Sequence, residues 1–267
     1  MKRTPPRLLI IAGSDSGGGA GIQADIKTAT ALGVYAMTAV TVVTAQDTLR
    51  VHAIHPIPAS LVRGQIACVL GDIGADAIKI GMLGSRETVE TVADALSHHS
   101  SLPIVIDPVL ASTSGTPLLE AGATDIMISR LFPLATLVTP NLPETKRLAE
   151  MNVDSDIDIV RAAQRLRARG ARAVLVKGGH AQSQSARDIL VTEDGTEIFE
   201  SPRISVSRTH GTGCTLSAAI ACGLASGESL PDAIRHARYF VSKAIESALK
   251  FGVGSLPLNH MHNISGS

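Results

Sequence analysis

The sequence predicts an α/β fold with a central, mostly parallel sheet. Short apolar runs alternate with longer helical stretches, and these runs are apolar throughout instead of alternating with polar residues. Polar or glycine-rich segments follow the runs repeatedly. Continuous apolar strands are typical of a parallel sheet that helices cover on both faces. The 267 residues contain no evident linker, repeat or low-complexity stretch, so we expect a single domain over residues 1–267.

The apolar runs that predict strands cover residues 8–12, 36–44, 51–57, 77–80, 104–107, 137–139 and 173–176. Two further segments, 188–192 and 196–200, flank Asp194 and Gly195, a two-residue signal for a β-hairpin. The hairpin would add an antiparallel edge to the sheet.

The predicted helices cover residues 22–32, 59–73, 86–98, 156–169, 213–225 and 231–250. In segment 86–98, apolar residues recur at i, i+3, i+4 and i+7 from Val89, which indicates one buried face, and Ser85 is a suitable N-cap. Gly33 and Gly170 follow two of the helices, as expected for helix C-termini.

Composition narrows the functional classes. Hydrophobic residues make up 45% of the chain, tryptophan is absent, and aromatic residues make up 2%. We therefore expect an aliphatic core and no base-stacking surface for nucleic acid. Formal net charge is zero, the run 8–12 is too short to span a membrane, and three scattered cysteines favour a reducing compartment. These features predict a cytoplasmic protein without a membrane or nucleic-acid partner.

The segment 209–215, with sequence THGTGCT, runs into a predicted apolar helix. Gly211 and Gly213 allow a tight turn that directs successive N–H groups to one point, and the helix N-terminus adds its positive dipole end. Such a loop suits phosphate or the charge of phosphoryl transfer. A simple helix cap with turning glycines explains these residues equally well.

A second glycine-rich segment, residues 12–21, also joins a strand to a helix. It contains too many glycines for a dinucleotide-binding loop, and no acidic residue ends a strand near position 40 to bind a ribose. A loop that shapes a substrate pocket fits better. Asp25, on the helix that follows, either bonds a ligand or is an ordinary first-turn acid, and spacing alone favours the second reading.

Asp107, Asn141, Glu144 and Lys177 each follow or end a predicted strand. Asn141 and Glu144 are oxygen donors three residues apart and suit Mg²⁺ bound through water, although a helix N-cap with a dipole-matched glutamate predicts the same residues. Lys177 suits phosphate oxygens as a point charge, or else extends its ammonium group out of the sheet edge.

Seven segments, in this order, resemble the ribokinase-like superfamily and within it the hydroxymethylpyrimidine/phosphomethylpyrimidine kinases of thiamine biosynthesis. They are AGSDSGGGAGIQADIKT (12–28), TAQDT (44–48), KIGML (79–83), DPV (107–109), TPNLPE (139–144), VKGGH (176–180) and HGTGCTLSAA (210–219). Each motif is moderately specific and the ordered set is very specific. The similarity covers nearly the whole chain, from about residue 8 to residue 262.

The resemblance implies a three-layer α/β/α fold without a large lid domain. It also implies an activity: ATP phosphorylates 4-amino-5-hydroxymethyl-2-methylpyrimidine, and a second phosphorylation of the monophosphate gives the diphosphate. Mg²⁺ is the implied metal, and a homodimer the implied assembly.

By family motif, the resemblance implies these site residues: Gln46, Asp25, Gly13 and Met82 at the pyrimidine; Lys177 and Asp107 with Asn141 and Glu144 at the nucleotide; Asn141 and Glu144 at Mg²⁺; and Gly211, Thr212 and Gly213 as an anion hole. Cys214 stands where most ribokinase relatives carry the catalytic aspartate. Its thiolate would accept the hydroxymethyl proton, and a helix N-terminus lowers the pKa of a cysteine. A small packing residue is the other reading of Cys214.

Cys68 and Cys222 are predicted to be small buried core residues, and the C-terminal His260 and His262 carry no interpretable pattern. The first alternative function is a pyridoxal or pyridoxine kinase of the same superfamily, which phosphorylates a similar flat ring. An alternative of another class is a non-catalytic small-ligand sensor, against which the combination of Lys177, Asn141, Glu144 and Cys214 argues. A dinucleotide-dependent oxidoreductase fits less well, because the ribose-binding acid is missing.

Overall fold

The computed structural model describes residues 4–112, 115–178, 185–204, 206 and 208–263. Within these residues, nine strands form one sheet in the order β3-β2-β1-β4-β5-β6-β7-β8-β9. The strands are β1 (Arg7–Asp15), β2 (Tyr35–Gln46), β3 (Val51–Pro56), β4 (Ala77–Ile80), β5 (Ile104–Ile106), β6 (Leu137–Val138), β7 (Val174–Lys177), β8 (Ser185–Val191) and β9 (Thr196–Pro202). A short β10 (Thr209–His210) pairs in parallel with β11 (Leu256–Pro257).

The centre of the sheet is parallel. All neighbours from β2 through β7 pair in parallel, whereas β3 pairs antiparallel with β2 at one edge. At the other edge β7, β8 and β9 pair antiparallel. The predicted mostly parallel sheet with an antiparallel hairpin is therefore confirmed, and the carboxyl ends of the parallel strands lie at one edge of the sheet.

Eight α-helices are present in the described residues: α1 (Gly21–Ala31), α2 (Ala59–Cys68), α3 (Arg86–Leu96), α4 (Ala123–Ile126), α5 (Leu142–Ala149), α6 (Asp156–Ala168), α7 (Thr212–Ala225) and α8 (Leu230–Glu246). Helix α2 continues as a π-helical turn over Val69–Ile73, and α4 continues as a π turn and a 3₁₀ turn up to Leu134. The predicted cap of α3 is present, since the Ser85 hydroxyl accepts the Thr88 N–H. None of the described helices is both long and apolar enough to cross a membrane.

The side chains of β1 show how the helices form two layers. Leu9 and Ile11 lie on the face covered by α2–α6, whereas Leu8 and Ile10 lie on the face covered by α1, α7 and α8. All four are fully buried, and burial of such a side chain contributes about 1.5–3 kcal/mol. The resulting three-layer α/β/α arrangement confirms the fold class implied by the resemblance.

Candidate active site

Most of the predicted site residues meet at one cleft beyond the carboxyl ends of the parallel strands. The cleft encloses about 970 Å³, near the upper end for small-molecule sites. Its lining includes Gly13, Gln46, Met82, Asp107, Asn141, Glu144, Lys177, Gly211, Thr212, Gly213 and Cys214. Asp25 is the predicted site residue that does not line this cleft, and its position is described below.

The glycine loop lies at the N-terminus of α7. Gly211 is the N-cap residue, with a left-handed φ of 87°, and Thr212, Gly213 and Cys214 form the first turn. A Cβ on Gly211 would lie 1.8 Å from the carbonyl oxygen of Gly19, so the two glycine loops touch through their backbones. The first N–H groups of α7 have no partner within the helix and lie at the cleft, which is the arrangement that binds anions.

Lys177 lies beside this loop. Its ammonium group is 2.7 Å from Oδ1 of Asp107, and a Cβ on Gly213 would lie 3.1 Å from Nζ. Burial lowers the pKa of Lys177, but the charges of Asp107 and Glu144 outweigh burial and leave the pKa raised. The lysine is therefore a fixed positive charge next to the N-terminus of α7.

Asn141 and Glu144 form a capping box at the start of α5. The Asn141 side chain accepts the Glu144 N–H at 2.8 Å, and the Glu144 carboxylate accepts the Asn141 N–H at 2.8 Å. Burial raises the pKa of Glu144 to about 7, with the nearby carboxylate of Asp107 acting in the same direction and Lys177 opposing it. Asn141 and Glu144 thus form the helix cap that the sequence allowed, and both residues also line the cleft.

The donor set fits a magnesium ion bound through water. Asp107 and Glu144 place two carboxylates near Lys177, and carboxylate oxygens are ligands that magnesium prefers. A divalent cation with its water shell would add positive charge beside these carboxylates. Among the described residues, no group of three or more His, Cys, Asp or Glu side chains forms a direct metal cage.

Cys214 has a less acidic thiol than its helix position predicts. Burial raises its pKa to about 11, while the positive charge of Lys79 and a hydrogen bond from the Gly21 backbone act in the opposite direction. Desolvation raises the pKa most and the carboxylates of Asp25 and Asp107 act in the same direction, so the thiol is less acidic than its position at a helix N-terminus leads one to expect. At neutral pH the protonated form of the thiol therefore predominates over the thiolate.

Asp25 lies beneath the cleft, in the layer between α1 and β4. Its Oδ2 is 2.8 Å from Nζ of Lys79, and neither side chain has any exposed area. Burial raises the pKa of Asp25 to about 6, and the charge of Lys79 opposes the rise. Asp25 therefore lies in an internal ion pair without exposed side-chain area, and its contact with a pyrimidine stays a prediction.

The end of the cleft predicted to bind the ring is lined by Gly13, Met82 and Gln46. A Cβ on Gly13 would lie 3.1 Å from Sδ of Met82, so the glycine leaves room for the thioether. The Met82 carbonyl accepts the Thr41 hydroxyl at 2.6 Å. Gln46 is the last residue of β2, and its side-chain nitrogen is 2.9 Å from Nε2 of His210.

Three residues at the site were not predicted from the sequence. Asp15 is buried and accepts the N–H groups of Gly17, Gly19 and Ala20. Lys79 lies within an otherwise apolar strand, which was a usable signal for a buried ion pair. His260, expected to be uninterpretable, is 3% exposed and bonds the Thr215 hydroxyl at 2.9 Å.

Cys222 is buried as predicted, whereas Cys68 is exposed at the end of α2, so that prediction is wrong. Gly179 and His180 of the VKGGH motif lie outside the described residues.

Comparison with known proteins places this cleft in a family. A family profile described as phosphomethylpyrimidine kinase matches residues 15–259. The chain is 46% identical to a hydroxymethylpyrimidine/phosphomethylpyrimidine kinase of Streptomyces coelicolor, over 96% of this chain and 95% of the relative. It is 45% identical to the thiamine biosynthesis bifunctional protein ThiED of Geobacter sulfurreducens, where 97% of this chain spans 54% of that longer protein.

A solved structure has a closely similar fold. An ADP complex of Bacillus subtilis pyridoxal kinase superposes with a TM-score of 0.89 at 36% identity, covering 97% of this chain and 98% of the other. The sequence matches cover nearly the full chain, and the cleft contains two touching glycine loops with Lys177 beside them. Both observations indicate a kinase. The chain belongs to the phosphomethylpyrimidine kinase family and is a small-molecule kinase that takes its phosphoryl group from ATP.

Proposed function

We propose that the chain phosphorylates the hydroxymethyl group of 4-amino-5-hydroxymethyl-2-methylpyrimidine and then phosphorylates the monophosphate to the diphosphate, as a step of thiamine biosynthesis. One observation carries this proposal: the end of the cleft lined by Gly13, Gln46 and Met82 is continuous with the anion-binding end at the N-terminus of α7. The names of the sequence relatives support the pyrimidine as substrate.

In this proposal the backbone N–H groups of Gly211, Thr212 and Gly213 stabilise the charge on the transferred phosphoryl group, and Lys177 neutralises the nucleotide phosphates. Phosphoryl transfer needs positioning and charge stabilisation more than covalent chemistry. Asp107 orients Lys177 through their 2.7 Å ion pair. Asn141 and Glu144 would hold Mg²⁺, and the ion would supply further positive charge at the phosphates.

Cys214 is proposed to receive the hydroxymethyl proton. Its high pKa makes it a strong base once deprotonated but leaves little thiolate at neutral pH. We expect Cys214→Ala to reduce kcat severely while the affinity for ATP changes little, and Cys214→Ser to restore only part of kcat. The exposed Cys68→Ala is the matched control. Near-normal turnover by Cys214→Ala would refute the base assignment.

Product analysis by mass spectrometry tests the function directly. The purified chain is incubated with ATP, Mg²⁺ and the pyrimidine alcohol, and then separately with the monophosphate. Two added phosphoryl groups support both steps, one supports the first step alone, and none overturns the proposal. Lys177→Met should abolish product, whereas Lys146→Met, at an exposed surface ion pair with Asp154, should not change it.

Pyridoxal kinase is the second candidate, because a pyridoxal kinase structure matches the fold over nearly its full length. Turnover of pyridoxal and of the pyrimidine alcohol under identical conditions separates the two candidates. A non-catalytic sensor would bind the alcohol without consuming ATP. The homodimer and the single-domain organisation stay predictions. The first is tested by sedimentation, and the continuous sheet from β3 to β9 supports the second.

A further inference from the structure

One nitrogen of His210 faces two groups that require opposite roles from it. Nε2 lies 2.9 Å from the side-chain nitrogen of Gln46 and 3.2 Å from Oδ2 of Asp15. An amide nitrogen only donates hydrogen bonds, whereas an ionised carboxylate only accepts them. Nε2 carries either a hydrogen or a lone pair, so a single state of the ring cannot satisfy both neighbours in this arrangement.

Each state of Nε2 fixes one orientation of the Gln46 amide. With a lone pair, Nε2 accepts a hydrogen bond from the Gln46 nitrogen. With a hydrogen, Nε2 donates to Asp15 and would repel an amide N–H, so the amide turns by a half rotation and presents Oε1 to the ring. Asp15 is buried and already accepts three backbone N–H groups, which keep it ionised and favour the second state.

The remaining surface of the Gln46 amide lies at the cleft. No other hydrogen bond to this side chain exists in the described residues, and Gln46 lines the cavity at the ring-binding end. A glutamine amide offers one acceptor and one donor side by side, which matches the amino group and adjacent ring nitrogen of an aminopyrimidine. A half rotation of the amide reverses the order of this donor and acceptor.

The surroundings hold both partners still. The backbone of Gln46 is fixed by Ser16, whose hydroxyl bonds both its N–H and its carbonyl at 2.8 and 2.9 Å. The His210 ring lies against Gly19, where a Cβ would be 2.7 Å from the ring, and His210 belongs to the β10–β11 pair. The rotation of the Gln46 amide is therefore the main freedom that remains at this contact.

We propose that His210 is a specificity-determining positioning residue that fixes the order of donor and acceptor which Gln46 presents to the substrate ring. The inference rests on the proposed function, because it assumes that the ring binds at Gln46. It predicts selection between two rings of nearly equal shape: the 4-amino-pyrimidine alcohol and its 4-oxo analogue, in which the ring nitrogen carries a hydrogen and the exocyclic group accepts. These two rings show opposite hydrogen-bonding order.

The test compares kcat/KM for the 4-amino and 4-oxo alcohols. Wild type should prefer the amino ring by at least about 100-fold, since the wrong order leaves two polar groups mispaired. His210→Phe keeps a flat ring against Gly19 but frees the amide to rotate, so the preference should fall at least about 10-fold. His210→Asn, which can present oxygen or nitrogen, should give the same loss and serves if the phenylalanine variant does not fold.

A merely structural role of His210 predicts a different result: both rings lose kcat/KM equally and the preference stays constant, which would overturn the inference. Gln46→Leu combined with His210→Phe should show no further loss of preference beyond Gln46→Leu alone. His236→Phe, at an exposed histidine of α8, is the matched control. If wild type phosphorylates neither ring, the proposed function itself fails, whereas a constant preference with an active wild type refutes the role of His210 alone.

Discussion

Replacing Lys79 by methionine should destabilise the fold by about 3–5 kcal/mol, the usual cost of removing one partner of a buried ion pair. Lys79 and Asp25 are fully buried with 2.8 Å between Nζ and Oδ2. Within the described residues, Oδ1 of Asp25 has no hydrogen-bond partner, so the carboxylate depends on Lys79 alone. Methionine nearly fills the volume of lysine, and most of the loss is therefore electrostatic.

The pH dependence identifies this cause. Without Lys79, burial raises the pKa of Asp25 beyond the value of about 6 that it has beside the lysine. A group whose folded pKa lies above its unfolded value adds stability below the unfolded pKa and loses it as pH rises through the folded pKa. The stability of Lys79→Met relative to wild type should therefore fall between pH 5 and pH 8.

Urea unfolding followed by circular dichroism, at several pH values, measures this effect. The double variant Lys79→Met/Asp25→Leu removes both charges and should regain at least about 2 kcal/mol over Lys79→Met. Lys243→Met, at an exposed pair with Glu246, should stay within about 0.5 kcal/mol of wild type. Equal losses from Lys79→Met and Lys243→Met, or a double variant less stable than the single one, would refute the reasoning.

Three further predictions concern the cleft. Burial raises the pKa of Glu144 from 4.5 to about 7, so ionisation of this buried carboxyl lowers the stability of the wild type as pH rises towards 7. The free energy of unfolding of Glu144→Gln, relative to wild type, should therefore rise by up to about 3 kcal/mol between pH 5 and pH 8.5 in thermal melts. A difference that stays constant with pH would contradict this. Gly211→Ala should lower turnover and reduce the free energy of unfolding by more than about 2 kcal/mol, because the new Cβ would meet the Gly19 carbonyl. Gly227→Ala has a similar φ but open space around the Cβ, and urea titration should show a loss of only about 1 kcal/mol. His260→Leu removes a hydrogen-bond partner of the Thr215 hydroxyl and should lower kcat about 10-fold with less change in the KM for ATP. Equal changes in kcat and KM would instead indicate a general structural role.

The fold was largely predictable because its signals are local. The apolar strands and the α3 cap at Ser85 follow from burial and hydrogen bonding within a few residues, and the structure places them as predicted. The chain between β5 and β6 was not assigned, since α4 has four residues and continues in π and 3₁₀ turns that lack a helical apolar period. Cys68 was wrongly predicted to be buried, because the sequence did not show which face of α2 packs against the sheet.

The site was predictable to the extent that strand ends converge. That rule brought Asp107, Asn141 and Lys177 to one edge, but it cannot show which side chains turn inward. Asp25 of α1 points into the core because Lys79 of β4, 54 residues later in the chain, lies opposite it and forms an ion pair with it. His260 escaped detection because its partner Thr215 is 45 residues away. Contacts over such separations leave no periodic trace in one sequence.

The glycine loop at 211–213 is held by contacts from three parts of the chain, which changes how its glycines are understood. The Gly19 backbone lies against Gly211. His260, whose pKa burial lowers to about 4, shares a hydrogen bond with the Thr215 hydroxyl, and that hydroxyl also bonds the Gly211 carbonyl at 2.9 Å. His210 joins the neighbouring strand to Asp15. Gly211 is thus required for close approach and a left-handed φ, not for mobility. The helix cap and the anion site are then one structure, because the contacts that fix the beginning of α7 also hold its free N–H groups in place before a phosphate binds.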